Sequence, residues 1–186
     1  AYQNDNFHEA MGEYATQQGL KKMFILAPNY PAGTDSLNGF KRYYKGELAG
    51  EVYTKLGQTD YAAEIAQIRD SGADSVFFFL PGGMGIAFVK QYAQSGVNIP
   101  LMGPGFSFSQ DVLGAIGDAA LGAKNSASWS KDLDNAANKK FVEEFQKAYN
   151  RLPSIYAAQA YDTANLILAA ASKASVKDAA AFRAAL

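Results

Sequence analysis

Three runs of almost unbroken apolar residues constrain this chain more than anything else in it: Met23-Phe24-Ile25-Leu26-Ala27, Val76-Phe77-Phe78-Phe79-Leu80 and Ile99-Pro100-Leu101-Met102. A strand with one wet face alternates apolar and polar residues. A strand that is apolar throughout must be covered on both faces, which is the habit of parallel sheets. Parallel neighbours are joined by long, right-handed, usually helical crossovers, and the intervening segments have helical periods. Phe7, Met11, Tyr14 and Ala15 share one face of a helix expected over 6–18, which Gly19 ends. Leu37, Phe40 and Tyr44 do the same for a second helix, and Ala62, Ile65 and Ile68 for a third that Thr59-Asp60 can cap. A fourth is expected over 84–95, and Ser107 with Gln110 has capping-box spacing before Val112, Leu113 and Ile116. The more polar segment 48–54, with Glu51 at its centre, reads as an edge strand, and 123–129 as a weaker one.

The expected fold is therefore α/β, a mainly parallel sheet with helices on both faces. After a polar crossing segment over 130–138 the pattern changes: helices over 139–150 and 154–172, and a last one from Ser175, follow with no strand between them. Ligands of open parallel sheets bind outside the carboxyl ends of the strands. That directs attention to the loops 28–33, 81–85 and 103–108.

Composition narrows the chemistry. The 186 residues are 48% hydrophobic, enough for a real core, and a formal charge of −1 lacks the clustered basic face that nucleic acid requires. With no cysteine and a single histidine, His8, there is little from which to build a zinc site, a thiol nucleophile or a His-based triad. His8 is expected at the surface or partly packed. Gly82-Gly83-Met84-Gly85 lies where a dinucleotide fingerprint belongs, but Phe88 stands where the third glycine should fall. What survives is a helix start whose free N–H groups can bind an anion such as a carboxylate. Glu143 and Lys147 have the spacing of an ordinary solvated pair. No catalytic residue, cofactor or metal is expected. No run approaches the roughly 18 apolar residues of a membrane span, and Ala1-Tyr2-Gln3-Asn4-Asp5 has no signal-peptide character.

The aromatic residues, 11 Tyr and 12 Phe, carry more. Tyr30, Phe106 and Phe108 fall in the strand-end loops, and Tyr156 opens a later helix. Such residues offer flat apolar faces at the rim of a cleft, and tyrosine adds a hydroxyl.

The order of segments resembles the second lobe of the type I periplasmic solute-binding proteins, the Leu/Ile/Val-binding family of ABC importers. The resemblance is carried by Asn29-Tyr30-Pro31-Ala32-Gly33 between strand and helix and by Asp60-Tyr61-Ala62 through Ile68-Arg69-Asp70-Ser71-Gly72-Ala73-Asp74-Ser75-Val76. Leu101-Met102-Gly103-Pro104 and the set Asn138 to Val142, Phe145, Tyr149, Pro153 and Ala160-Tyr161-Asp162 complete it. It implies residues 1–134 as the second ligand-binding lobe and 135–186 as helices that return to the first lobe. It also implies an incomplete chain, a periplasmic location, a small-molecule solute and a membrane permease as partners, and no enzymatic activity.

Asn29, Tyr30, Pro81, Gly82, Gly83, Gly105, Phe106 and Tyr156 are then the expected ligand contacts. Amino-acid binders of the family hold the ligand ammonium with an acidic residue just after Gly-Pro. Here Gly105 and Phe106 follow Gly103-Pro104, which implies an aromatic or aliphatic carboxylate without an amine. A branched-chain amino acid binder, a sensing domain of a receptor or regulator with the same fold, and a flavodoxin-like enzyme are the alternatives. The half-site alone is expected to bind weakly or not at all, and its unpartnered helices either to self-associate or to dock in a position the family does not use.

Overall fold

A computed structural model of the chain describes residues 3–186. The chain divides into two compact units, one ending at Ser128 and one beginning at Trp129.

The first unit runs α1 (Asn4–Gln17), β1 (Lys22–Pro28), α2 (Pro31–Tyr43), β2 (Glu47–Thr54), α3 (Ala62–Asp70), β3 (Ser75–Phe78), α4 (Gly83–Gln94), β4 (Leu101–Pro104), α5 (Gln110–Ile116) and β5 (Lys124–Ser126). All five strands are parallel, in the order β2-β1-β3-β4-β5. The three apolar runs are thus adjacent central strands, as their composition requires. The polar strand and the weak strand are the two edges.

Period-two alternation sorts the sheet residues onto two cores. Met23, Ile25, Ala27, Phe77, Phe79 and Met102 face α1 and α2, where Met11, Ala15, Leu37 and Phe40 meet them. Phe24, Leu26, Val76, Phe78, Leu80 and Leu101 face the other way, against Ile65 and Ile68 of α3, Phe88, Val89 and Tyr92 of α4 and Ile116 of α5. Each large side chain buried here contributes about 1.5–3 kcal/mol. The helices α1 and α2 approach closely because Gly12 faces the backbone of Phe40; a Cβ there would lie 2.2 Å from its carbonyl oxygen. Arg42 of α2 joins them from outside, pairing with Asp5 at 3.3 Å and with Glu9. On the β2 edge, Lys41 meets Glu51 at 2.7 Å.

Some local expectations shift. β4 begins at Leu101 rather than 99, because Pro100 has no N–H to give a ladder; its carbonyl still accepts from Val76 N. The Ser107–Gln110 capping box does not form. Residues Gly105–Ser107 coil into a single 3-10 turn, and Ser109 becomes the residue preceding α5.

The second unit holds α6 (Ala136–Tyr149), α7 (Ile155–Ala171) and α8 (Ala179–Ala185). Asn135, Ser154 and Asp178 cap them, each accepting from a backbone N–H three residues on. Asn138 organises its start: Oδ1 accepts from Trp129 Nε1 at 2.6 Å, and Nδ2 donates to the carbonyls of Ser130, Lys131 and Leu133. Phe141 of α6 packs on Tyr161 of α7 with centroids 4.6 Å apart. The i,i+4 pair that forms on α6 is Lys140–Glu144, not Glu143–Lys147. Much apolar surface stays in water, including Leu166, Ile167 and Leu168 of α7.

Candidate functional site: an aromatic wall at the carboxyl edge of the sheet

The strand order places a switch point between β1 and β3, where the chain turns outward to opposite sides of the sheet. The carboxyl ends of strands at such a point form the crevice in which open α/β sheets bind ligands. Seven of the eight expected contacts belong to this edge. Asn29 and Tyr30 follow β1, Pro81, Gly82 and Gly83 follow β3, and Gly105 and Phe106 follow β4. The eighth, Tyr156, lies in the other unit, exposed on the first turn of α7.

Glycines build the two turns beside the switch point. The third residue of α2 is Gly33 and the third of α4 is Gly85; a Cβ at either would lie 1.9 Å from the Pro28 carbonyl oxygen or 2.3 Å from that of Leu80. Each helix therefore starts hard against the strand it follows. Gly82 precedes α4 with φ 59° and ψ −131°, a conformation that side chains resist. The Gly82-Gly83-Met84-Gly85 cluster is accounted for by this turn. Gly82 and Gly83 are exposed, and a Cβ at Gly83 would meet nothing within 4 Å, so α4 starts at the open surface.

The apolar part of the site is a set of rings. Tyr30 stacks on Phe79 with centroids 6.2 Å apart, and Phe79 meets the edge of Phe106 at 5.7 Å. Phe7 of α1 lies edge-on to Phe106 at 5.9 Å. Partial burial raises the pKa of the Tyr30 phenol, so it stays a hydroxyl donor at neutral pH. Gly105 is held against β5: a Cβ there would come within 2.8 Å of both Ser126 O and Ala127 Cβ. An acidic side chain has no room at this position. None of the loops 28–33, 81–85 and 103–108 carries a charged residue.

Two residues of this region escaped the sequence analysis. Phe79, just past the end of β3, is the core residue its apolar run suggests, but its ring also lies between Tyr30 and Phe106 and so backs the site. His8 is not at the surface. It is fully buried, edge-on to Phe77 at 5.8 Å, Phe79 at 5.2 Å and Phe106 at 6.3 Å. The available signal was its place one and two turns before Met11 and Ala15, on the buried side of α1. Phe108, also placed in a strand-end loop, turns into the opposite core.

Among the described residues, no cluster of His, Asp and Glu could hold a metal ion, and no helix is long and apolar enough to cross a membrane. The geometry offers a flat apolar wall, one phenol and a helix N-terminus.

The comparisons with known proteins agree with one another. Leu/Ile/Val-binding protein homolog 6 of Brucella melitensis is 34% identical over 141 residues, which is 72% of this chain and 36% of that protein. A solute-binding protein of an ABC transporter from R. palustris, solved with benzoate, is 31% identical with a TM-score of 0.90 over 98% of this chain and 52% of its own. Another from Rhodopseudomonas palustris BisB5, solved with 3,4-dihydroxy benzoic acid, is 30% identical with a TM-score of 0.86 over 100% of this chain and 53% of its own. The chain thus spans about a third of the curated relative and about half of the solved ones. Its residues 1–186 match the family model of periplasmic binding proteins throughout. That match shows that the chain belongs to the periplasmic binding protein family.

Proposed function

We infer that this chain supplies one lobe of a two-lobed solute-binding protein of an ABC importer, acting in the periplasm and delivering its solute to a membrane permease. The solute is a small aromatic carboxylate, held in the cleft at the carboxyl ends of β1, β3 and β4. Residues 1–134 form the lobe and 135–186 the helices that return to its partner lobe. Asn29, Tyr30, Pro81, Gly82, Gly83, Gly105, Phe106 and Tyr156 are the proposed ligand contacts.

The observation that carries this reading is the aromatic wall of the half-buried Tyr30 and Phe106, backed by the buried Phe79 and bordered by loops that bear no charge. Phenyl rings prefer offset or edge-on partners at these separations, each worth about 0.5–1.5 kcal/mol beyond area burial. The open N-terminus of α4 favours a carboxylate. An α-ammonium, by contrast, finds no counter-charge in these loops, and a buried charge without its partner costs about 2–5 kcal/mol. That is a factor of roughly 30 to several thousand in affinity. The relatives solved with benzoate and 3,4-dihydroxy benzoic acid support the same class of solute.

Titration calorimetry on the complete polypeptide, with benzoate, 4-hydroxybenzoate and leucine, tests the reading. Aromatic acids should bind and leucine should not. Tight leucine binding without a response to aromatic acids would overturn it in favour of the branched-chain amino acid reading that the name of the curated relative suggests.

A further inference from the structure

Buried polar groups nearly always find hydrogen-bond partners, and the exceptions call for a reason. His8 is such an exception. Its ring is 0% exposed, yet neither Nδ1 nor Nε2 has a partner among the described residues. What surrounds it is the back of the aromatic wall: Phe79 and Phe106 lie edge-on to the imidazole, and Tyr30 stacks on Phe79. The hydroxyl of Ser107, in the same turn as Phe106, is buried without a partner as well. Two polar residues beside Phe106, one packed against its ring and one next to it in sequence, are thus buried without partners.

Of these rings, Phe106 is the one placed to move. Gly105 before it is wedged against Ser126 and Ala127, and Phe108 after it is buried in the opposite core. The backbone of the turn is therefore held at both ends, while the Phe106 side chain itself is only partly buried. Rotation of that side chain would open a way toward the imidazole while the backbone of the turn stays held.

We propose that His8 is a specificity-determining residue of the site, reached when Phe106 swings aside, and that its imidazole hydrogen-bonds a ring hydroxyl of the solute. A neutral imidazole presents one donor and one acceptor, and a phenol presents the same pair. Each can therefore satisfy the other in a seat that excludes water. A carboxylate, which only accepts, would leave the acceptor nitrogen unpaired. The proposal rests on the aromatic-acid reading above and narrows it: the preferred solute is a hydroxylated benzoate rather than benzoate. A site built to pair a hydroxyl discriminates strongly against the analogue that lacks it, because its own polar groups are then stranded.

The test is calorimetric titration of the complete polypeptide with benzoate, 4-hydroxybenzoate and 3,4-dihydroxybenzoate at pH 7, in the wild type and in His8→Leu and His8→Gln. The wild type should bind at least one hydroxylated acid about tenfold more tightly than benzoate. His8→Leu should bring that ratio close to one by weakening the hydroxylated acid alone. His8→Gln, whose amide again offers donor and acceptor, should keep part of the preference, and it serves as the test if the leucine variant fails to fold. An unchanged ratio in His8→Leu, or equal loss of all three acids, would overturn the proposal while leaving the aromatic-acid reading intact. Absence of any response to aromatic acids in the wild type would remove both.

Discussion

Burial of His8 should make the stability of this chain depend on pH in a way that one substitution removes. The imidazole is completely enclosed, and desolvation lowers its pKa from 6.5 to about 4, although Asp5 on the same helix works in the opposite direction. At about 1.4 kcal/mol per unit, the proton is worth roughly 3 kcal/mol between the two states. The folded-state value lies below the unfolded one, so the unfolded chain binds the extra proton between pH 6.5 and about 4. Stability contributed by the neutral ring is present above pH 6.5, falls as pH falls through that window, and has been lost in full below it.

Acidic side chains titrate nearby in pH, so the comparison must cancel them. His8→Leu does so, being close to the original volume and leaving every carboxylate in place. Urea denaturation at pH 7 and pH 5 should show the wild type losing about 2 kcal/mol more than His8→Leu on acidification. At pH 7 the variant should be as stable as the wild type or more so, since an unpartnered buried polar group is replaced by an apolar one. Parallel pH profiles for the two proteins would show that the imidazole is not held neutral by its surroundings.

Three further expectations concern packing. Gly12→Ala pushes a Cβ to 2.2 Å from the Phe40 carbonyl oxygen and must part α1 from α2; it should cost about 1–3 kcal/mol, and an unchanged thermal midpoint would contradict the close approach. Asn138→Ala strands the Trp129 indole N–H and the carbonyls of Ser130, Lys131 and Leu133, a loss of about 1–3 kcal/mol. Trp129 is the only tryptophan, so its emission should shift to the red in this variant, and an unmoved spectrum would speak against the network. The exposed Leu166, Ile167 and Leu168 of α7 should make the isolated 186-residue chain self-associate. Sedimentation velocity would settle the point: a monomer at every concentration, insensitive to Ile167→Lys with Leu168→Lys, would refute it.

Much of the fold was legible in the sequence, and the legible parts share one property: they follow from what a segment buries as a whole. Residues 23–27, 76–80 and 99–102 are apolar at every position, so they had to be central parallel strands, whereas Glu51 marked β2 as an edge. The missing acidic residue after Gly103-Pro104 was equally readable. The structure adds the reason for Gly105, since any side chain there meets β5.

What a segment-by-segment reading could not reach was the direction of individual side chains. In a run such as Val76-Phe77-Phe78-Phe79-Leu80 every residue is apolar, so alternation carries no sign of which ring turns to which core. Only the sheet's position between two helical layers sends Phe78 into one core and Phe79 into the other, behind Tyr30 and Phe106. The same holds for His8. On α1 the apolar spacing of Phe7, Met11, Tyr14 and Ala15 drew the helix face slightly askew from the one that is buried, His8, Met11, Gly12 and Ala15. The layers, the parallel sheet and the loops at its carboxyl edge could be read from the residues alone, because burial of a whole strand or helix face is written in its hydrophobic pattern. The meeting of Tyr30, Phe79, Phe106 and an unpartnered histidine was decided only by tertiary structure, because residues 22 to 98 positions apart in the chain become neighbours through sheet order and helix packing alone.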